Sequence, residues 1–254
     1  MSSHAIACIA GGTSGIGRAT TLRLLAKGWD VISIGRTVEH ATELSNIVAS
    51  HEAPRLSVKS ADLCSYEECE ALAEYLNVRY GKLDVLVNAA GTIGAGGVQE
   101  ETPDRWGQVI ASNLTPAFNM TKACCGLLKS ASGASIVNIS SVCSLRPCAS
   151  ISYSVSKAGL DMFTKAAARE LAPFGIRVNS VNPSVVRSNL QMSAGLFANV
   201  ESYEDWIKKM GPSHPLGRIG EPEDVVGAIE YLTSPDASWM TGAIVSLDGG
   251  RAIA

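Results

Sequence analysis

The chain has 254 residues, of which 46% are hydrophobic and 18% charged, a balance typical of a globular protein and unlike that of a disordered chain. The net charge of −3, without any basic tract, argues against a nucleic-acid partner. No apolar run reaches ~18 residues and no basic segment precedes an apolar stretch at the N-terminus, so we expect a cytoplasmic protein without a membrane partner.

Strand-like and helix-like segments alternate along the whole chain. Apolar runs predict strands over 5–10, 31–34, 56–58, 83–88, 136–140, 177–181 and 243–247. Helical periodicity predicts helices over 16–27, 38–50, 66–79, 102–130, 151–172 and 221–232. Uniformly apolar strands separated by helices indicate a parallel sheet covered on both faces. With no repeat or linker, the pattern predicts one α/β domain over 1–254, with a doubly wound, seven-stranded parallel sheet.

Residues 189–215 interrupt this alternation with an apolar segment that includes Leu196, Phe197, Tyr203 and Trp206. The segment is either a helical insertion packed on the core or a mobile lid over a ligand. We favour the lid, because the segment follows the sixth strand and ligands of open α/β sheets bind at the carboxyl ends of the strands.

The seven cysteines include no C-x-x-C pair and no Cys/His set with zinc spacing. This arrangement predicts free thiols in a reducing compartment and no metal site. Cys143 and Cys148 flank the region predicted below to be catalytic, and we expect them to pack there as small apolar groups.

A glycine-rich turn connects the first strand to the first helix. Glycines at 11, 15 and 17 permit positive φ and let the backbone approach a pyrophosphate, while the helix N-terminus offers free N–H groups to that anion. The position after the first strand predicts a dinucleotide site. The residues of this loop predicted to contact the cofactor are Gly11, Thr13, Ser14, Gly15, Ile16 and Gly17.

Tyr153 and Lys157 lie four residues apart, on one face of the helix predicted over 151–172. A phenol, with an ordinary pKa of ~10, can transfer a proton near neutral pH only if that pKa is lowered. A neighbouring ammonium and an oxidised nicotinamide would both lower it. Ser140 and Ser141 follow the fifth strand, where a hydroxyl could hydrogen-bond a substrate carbonyl; since neighbouring strand residues face opposite ways, only one can serve.

These motifs resemble those of the short-chain dehydrogenase/reductase family, T-G-x-x-x-G-x-G and Y-x-x-x-K, with Ala10 in place of the leading Thr. The resemblance extends from the first strand to Leu247-Asp248-Gly249-Gly250. It implies a Rossmann-type fold with strand order 3-2-1-4-5-6-7. It also implies a homodimer through the helices near 102–130 and 151–172, and often a homotetramer.

The resemblance also implies functions for further residues. Asp62 and Leu63 would contact the adenine; Asn88, Ala89 and Gly91 would lie near the ribose; Pro183, Val186 and Ser188 would hold the nicotinamide end. Ala89 replaces an Asn, and Ser184 replaces a Gly, of the family motifs. Lys157 would bind ribose hydroxyls and lower the pKa of Tyr153, and with Asn113 it would hold a water that relays protons. The commonest family spacing points to Ser140 as the catalytic serine, whereas the strand end points to Ser141, which we favour.

Arg36 and Thr37 follow the second strand, where an NAD-preferring enzyme needs a carboxylate for the ribose hydroxyls. Arg36 instead offers a permanent charge suited to a 2′-phosphate. We therefore expect NADP(H), with NAD as the alternative, because Ser14 stands where many NADP-preferring relatives carry a second basic residue.

Together these features predict an NADP(H)-dependent oxidoreductase that interconverts a ketone and a secondary alcohol on a moderately hydrophobic small molecule. Ser141 would polarise the carbonyl and Tyr153 would donate the proton. The alternatives are an NAD-dependent alcohol dehydrogenase with the same site and a nucleotide-binding protein without catalysis.

Overall fold

The computed structural model describes residues 4–254 and contains a parallel sheet of seven strands in the order β3-β2-β1-β4-β5-β6-β7. The strands are β1 Ile6–Ala10, β2 Asp30–Gly35, β3 Leu56–Ser60, β4 Val85–Asn88, β5 Ser135–Ile139, β6 Arg177–Pro183 and β7 Ile244–Leu247. The helices are α1 Gly15–Ala26, α2 Val38–Ile47, α3 Tyr66–Tyr80, α4 Pro103–Ala123, α5 Cys125–Lys129, α6 Ile151–Leu171, α7 Leu190–Ser193, α8 Val200–Met210 and α9 Pro222–Thr233. The predicted fold class and strand order are confirmed.

The sheet has a hydrophobic core on each face. Every residue of β1 and β5 is buried, because successive side chains enter opposite layers. From β1, for example, Cys8 packs in the layer with Leu76 and Met120, whereas Ile9 packs in the layer with Leu25 and Val225. Helices therefore cover both faces, as the apolar strands predicted.

The carboxyl ends of the strands meet along one edge of the sheet. Ala10 at the end of β1 is level with Ile34 in β2 and Asn88 in β4, and Ile139 at the end of β5 is level with Val181 in β6. The chain turns away from β1 in opposite directions to β2 and to β4, which creates the crevice where open α/β sheets bind ligands.

The structure gives the bounds of the individual helices in two regions, 102–130 and 189–215. The helices predicted over 102–130 are α4, which ends at Ala123, and α5, which begins at Cys125. The segment 189–215 forms α7, α8 and a 3-10 turn, Gly211–Ser213. Within residues 4–254, no helix combines the length and the hydropathy that crossing a bilayer requires.

Candidate active site

A cavity of about 730 Å³ lies at the carboxyl edge of the sheet. Its walls come from the segments that follow β1 to β7 and from the segment 189–215. The predicted site residues on these walls are Gly11, Thr13, Ser14, Gly15, Ile16, Gly17, Arg36, Thr37, Asp62, Leu63, Ala89, Gly91, Asn113, Ser141, Tyr153, Lys157, Pro183, Val186 and Ser188. The structure therefore brings almost the whole predicted set to one place.

The glycine loop is compact because its backbone segments touch. A Cβ at Gly17 would lie 2.1 Å from the Gly11 carbonyl oxygen, and one at Gly11, whose φ is +82°, would lie 2.6 Å from the Ala90 nitrogen. Gly15 differs, since a Cβ there would face the cavity with only Ser188 Cβ within 4 Å, at 3.4 Å. The N-terminus of α1 begins at this residue, with no acidic side chain in its first turn. The loop thus exposes an N-terminal helix dipole to the cavity, as a pyrophosphate requires.

Arg36 is exposed on the cavity wall beside Thr37, which precedes α2. Among residues 4–254 the Arg36 guanidinium has no ion-pair partner. His40, in the first turn of α2, lines the same part of the wall and was missed by the motif comparison. This end of the cavity is therefore cationic, with donors left for a phosphate.

Asn88 is the one predicted site residue that is not on the cavity wall. It ends β4, and its Nδ2 donates to Asn138 Oδ1 of β5 at 2.9 Å, while Asn138 Nδ2 donates to Thr164 Oγ1 of α6 at 2.8 Å. The side chain of Asn88 is directed along the sheet rather than out of its edge. This side chain therefore links β4 to β5 and α6 below the site, and the prediction of Asn88 as a cofactor contact stays a prediction.

Tyr153 lies in the first turn of α6, whose N-cap Ser150 accepts a hydrogen bond from the Tyr153 nitrogen at 3.3 Å. The Ser141 hydroxyl accepts from the Cys143 nitrogen at 3.1 Å and lies close enough to Tyr153 to lower the pKa of its phenol. The Ser140 hydroxyl donates to the Lys157 carbonyl oxygen at 3.1 Å. The two serines thus face opposite ways, and Ser141 is the one beside the tyrosine.

Burial raises the pKa of Tyr153 well above its ordinary value, and the nearby Cys143 raises it further, while the hydrogen bond with Ser141 lowers it only in part. The prediction that Lys157 and an oxidised nicotinamide together lower this pKa stays a prediction. Lys157 Nζ donates to the Ile139 carbonyl oxygen at 2.8 Å and lies 5.6 Å from the centre of the Tyr153 ring. Burial lowers the pKa of Lys157 from 10.5 to about 8.

Both amide hydrogens of Asn113 are engaged within the protein. Its Oδ1 accepts from the Thr92 nitrogen at 2.8 Å, and its Nδ2 donates to the Thr92 carbonyl oxygen at 3.0 Å and to Ser156 Oγ at 2.9 Å. A side chain with both amide hydrogens engaged has no donor left for a water. The side chain of Asn113 therefore fixes the loop containing Thr92 against α6, and its function in holding a water together with Lys157 stays a prediction.

A buried polar cluster under Ser141 was not predicted from the sequence. Asn182 Nδ2 donates to the Ser141 carbonyl oxygen at 3.1 Å and to Asp161 Oδ2 at 2.8 Å. Ser144 donates to the Ser141 carbonyl oxygen at 2.8 Å and to Asp161. Ser180 donates to Asp161 Oδ1 at 3.1 Å. The backbone of Ser141 is therefore held by β6 and α6, and the only sequence signal was that Asp161 lies two turns beyond Tyr153.

Cys143 and Cys148 lie on the cavity wall and hydrogen-bond each other. The hydrogen bond from Cys143 lowers the pKa of Cys148, together with Ser154, whose Oγ is 3.3 Å from the sulfur. Both thiols lie close enough to Tyr153 to raise the pKa of its phenol. Both are free thiols, and the expectation that they pack on this wall as small groups stays a prediction.

The segment 189–215 contributes an apolar wall that includes Leu196, Phe197, Trp206 and Met210. Phe197 and Trp206 pack around Tyr203, with ring centres 5.5 and 6.1 Å from the tyrosine ring. The Tyr203 hydroxyl donates to the Ser188 carbonyl oxygen at 2.9 Å. The apolar wall and the loop after β6 are therefore joined.

Comparison with known proteins agrees with this geometry. Residues 10–252 match a family model described as "Enoyl-(Acyl carrier protein) reductase". The acetoacetyl-CoA reductase of Rhizobium meliloti (strain 1021) is 32% identical over 249 residues, covering 97% of this chain and 98% of that protein. The 3alpha-hydroxysteroid dehydrogenase of Mediterraneibacter gnavus is 33% identical over 254 residues, covering 98% and 97%.

A solved structure shares the whole fold. The NADPH-bound short chain oxidoreductase of Pseudomonas aeruginosa PAO1, described as containing an atypical catalytic center, matches with a TM-score of 0.88 at 27% identity, covering 97% of this chain and 96% of that chain. The chain belongs to the short-chain dehydrogenase/reductase family, a family of oxidoreductases.

Proposed function

We propose that this protein is an NADP(H)-dependent oxidoreductase that interconverts a ketone and a secondary alcohol on a moderately hydrophobic small molecule. The observation that carries the proposal is the pair of neighbouring hydroxyls, Ser141 and Tyr153, on the wall of the cavity that also contains the glycine loop. The ketone reductase and the hydroxysteroid dehydrogenase among the relatives support the reaction type.

The geometry of the cavity fits a dinucleotide. Gly15 leaves the space of a Cβ open toward the cavity at the N-terminus of α1, where a pyrophosphate would lie. Arg36 and Thr37 would hold the 2′-phosphate, Asp62 and Leu63 the adenine, and Pro183, Val186 and Ser188 the nicotinamide end. When bound, the nicotinamide supplies or accepts the hydride, and its oxidised ring is positively charged.

The two hydroxyls act on the carbonyl oxygen. Ser141 donates a hydrogen bond that polarises the carbonyl, and Tyr153 gives its proton to the oxygen as negative charge develops there. Because burial raises the pKa of Tyr153, the phenol keeps its proton until that charge appears. Lys157 would bind the ribose hydroxyls beside Tyr153.

The experiment that tests the proposal is Tyr153→Phe. A screen of apolar ketones with NADPH should give turnover in the wild-type protein and a fall of at least about 100-fold in the variant, because only the transferable proton is removed. The dissociation constant for NADPH should change by less than about threefold. Tyr231→Phe, an exposed tyrosine of α9, is the matched control. Retained turnover in Tyr153→Phe would refute the assignment.

The cofactor preference is tested by Arg36→Asp. A carboxylate there would accept from ribose hydroxyls and repel a 2′-phosphate, so the ratio of kcat/KM for NADPH to that for NADH should fall by about 100-fold or more. Arg18→Asp is the control, since Arg18 pairs with Glu43 at 3.2 Å and is not on the cavity wall. An unchanged ratio in Arg36→Asp would show that Arg36 does not bind the phosphate.

Three further expectations remain part of this proposal. The segment 189–215 would act as a lid, opening to admit the substrate and closing its apolar side chains over it. The protein would be a homodimer or homotetramer, and it would work in the cytoplasm, where its seven free cysteines would stay reduced.

A further inference from the structure

Two arginines on the cavity wall have no function in the proposed reaction. Arg146 lies in the loop between β5 and α6, and Arg251 follows β7 near the end of the chain. Both also line a second cavity of about 390 Å³, whose other walls are Pro212, Ser213, Pro215 and Ala254. The two guanidinium groups therefore stand where one cavity borders the other.

The contacts of these arginines are all with neutral groups. Arg146 Nη1 donates to the Arg251 carbonyl oxygen at 2.6 Å, and Arg251 Nη1 donates to Ser184 Oγ at 3.4 Å. Within the described residues neither guanidinium forms an ion pair. Asp248, the acid nearest to Arg251 in the chain, accepts from the nitrogens of Gly250 and Ala252 at 3.0 and 2.7 Å. A guanidinium has five N–H donors, so most of them remain available.

Arg251 is positioned by a hydrogen-bond chain that depends on Ser184, the residue that replaces glycine in the family motif. His214, only 2% exposed, has its Nδ1 2.9 Å from the Met210 carbonyl oxygen and its Nε2 2.9 Å from Ser184 Oγ. Nδ1–H donates to the carbonyl, which leaves Nε2 to accept from the serine. The serine oxygen then accepts from Arg251, so a glycine here would remove the contact.

We propose that Arg146 and Arg251 form a subsite for an oxyanion, a carboxylate or a phosphate, carried by the ketone or alcohol substrate. The inference rests on the proposed function and specifies the class of its substrate. Two guanidinium groups that share a cavity wall, Arg251 partly buried and Arg146 exposed, and that form no ion pair among the described residues, would form charge-assisted, bidentate hydrogen bonds with such a group. An uncharged ligand would also remove water from the two guanidinium groups, but it would form weaker hydrogen bonds with them in exchange.

The test compares acids with their neutral counterparts. In the carboxylate arm, the reduction of 4-oxopentanoate and of its methyl ester by NADPH is measured. In the phosphate arm, 4-oxopentyl phosphate is compared with 5-hydroxypentan-2-one. Both arms use the wild-type protein and the variants Arg251→Gln, Arg146→Gln and Arg251→Lys. The preference for the acid in kcat/KM should fall at least 10-fold in both Gln variants, mainly through KM, and Arg251→Lys should keep part of it. Arg169→Gln, an exposed arginine of α6, should change nothing.

Failure of the subsite and failure of the proposed function give different results. If the neutral ketones are reduced and the acid-to-neutral ratio is equal in the wild-type protein and Arg251→Gln, the subsite is refuted and the oxidoreductase assignment stands. If no ketone in either arm is reduced, the increase in Tm on adding 4-oxopentanoate or 4-oxopentyl phosphate decides. An increase that disappears in Arg251→Gln supports the subsite, and equal shifts in both proteins refute it.

Discussion

The positive charge of Lys157 is buried and has few partners that compensate it. The side chain is 5% exposed, its ammonium donates to one backbone carbonyl, that of Ile139, and Asp161 is the acid that raises its pKa in part. Burial nevertheless dominates and lowers that pKa to about 8. A buried cation with few partners is typical of a group retained for function at the expense of stability.

Lys157→Met should therefore stabilise the fold while abolishing turnover. The unfolded chain binds a proton at this lysine up to a pH near 10.5, and the folded protein only up to about 8, so the folded protein is destabilised below pH 8 and recovers as the pH rises through this window. A difference of this size corresponds to at most on the order of 3 kcal/mol.

Thermal unfolding at pH 7 and at pH 10.5 measures the effect. We expect a higher Tm for Lys157→Met at pH 7 and a much smaller gain at pH 10.5, where the wild-type lysine is neutral in the folded protein and only about half protonated in the unfolded chain. Lys165→Met, an exposed lysine of α6, should show neither gain nor pH dependence. A lower Tm for Lys157→Met at pH 7 would mean that the bond to Ile139 outweighs the burial of the charge.

At the scale of elements, helix α6 positions the tyrosine and the lysine of the site. Tyr153, Ser156, Lys157, Asp161 and Thr164 recur at helical spacing on its buried face. Ser156 and Thr164 bond the neighbouring Asn113 and Asn138, and Asp161 bonds Asn182. One rigid helix thus aligns the tyrosine and the lysine with α4 and two strands.

The sequence was sufficient for the parts of the site that depend on local geometry. The glycine loop after β1 and the Tyr153–Lys157 pair on α6 follow from glycine conformation and helical period, and both lie on the cavity wall. The strand end favoured Ser141 over Ser140, and Ser141 is the hydroxyl beside Tyr153.

The contacts that the sequence did not predict connect distant parts of the chain. Arg146 bonds the backbone of Arg251, 105 residues away, and Asn88 bonds Asn138, 50 residues away. Such pairs depend on where loops fall after the strands are ordered, and neither hydrophobic period nor motif spacing contains that information. The lysine bond to Ile139 was missed for the same reason, since spacing along α6 does not show which strand lies beneath it.

At the scale of the whole molecule, the helix layer that contains α4 and α6 presents apolar side chains to solvent. Phe118 of α4 is 51% exposed and Met162 of α6 is 63% exposed, and Trp106 and Val155 on the same two helices are also exposed. Phe118 packs edge-on against Phe163, with ring centres 6.4 Å apart, which links the two helices into one surface. Contiguous exposed apolar surface of this kind is typical of an interface between subunits.

The proposed dimer through these helices predicts that Phe118→Glu dissociates it. A carboxylate at the centre of an apolar, two-fold interface would be buried without a partner and would face its own copy, so the mass measured by sedimentation velocity should fall to that of a 26.5 kDa monomer. Val78→Glu places the same charge on an exposed apolar position of α3, outside this layer, and should leave the mass unchanged. Because α6 contains Tyr153 and Lys157, the monomer should also lose activity more readily on heating than the dimer does. Association that is the same in Phe118→Glu and in the wild-type protein would place the interface elsewhere on the surface.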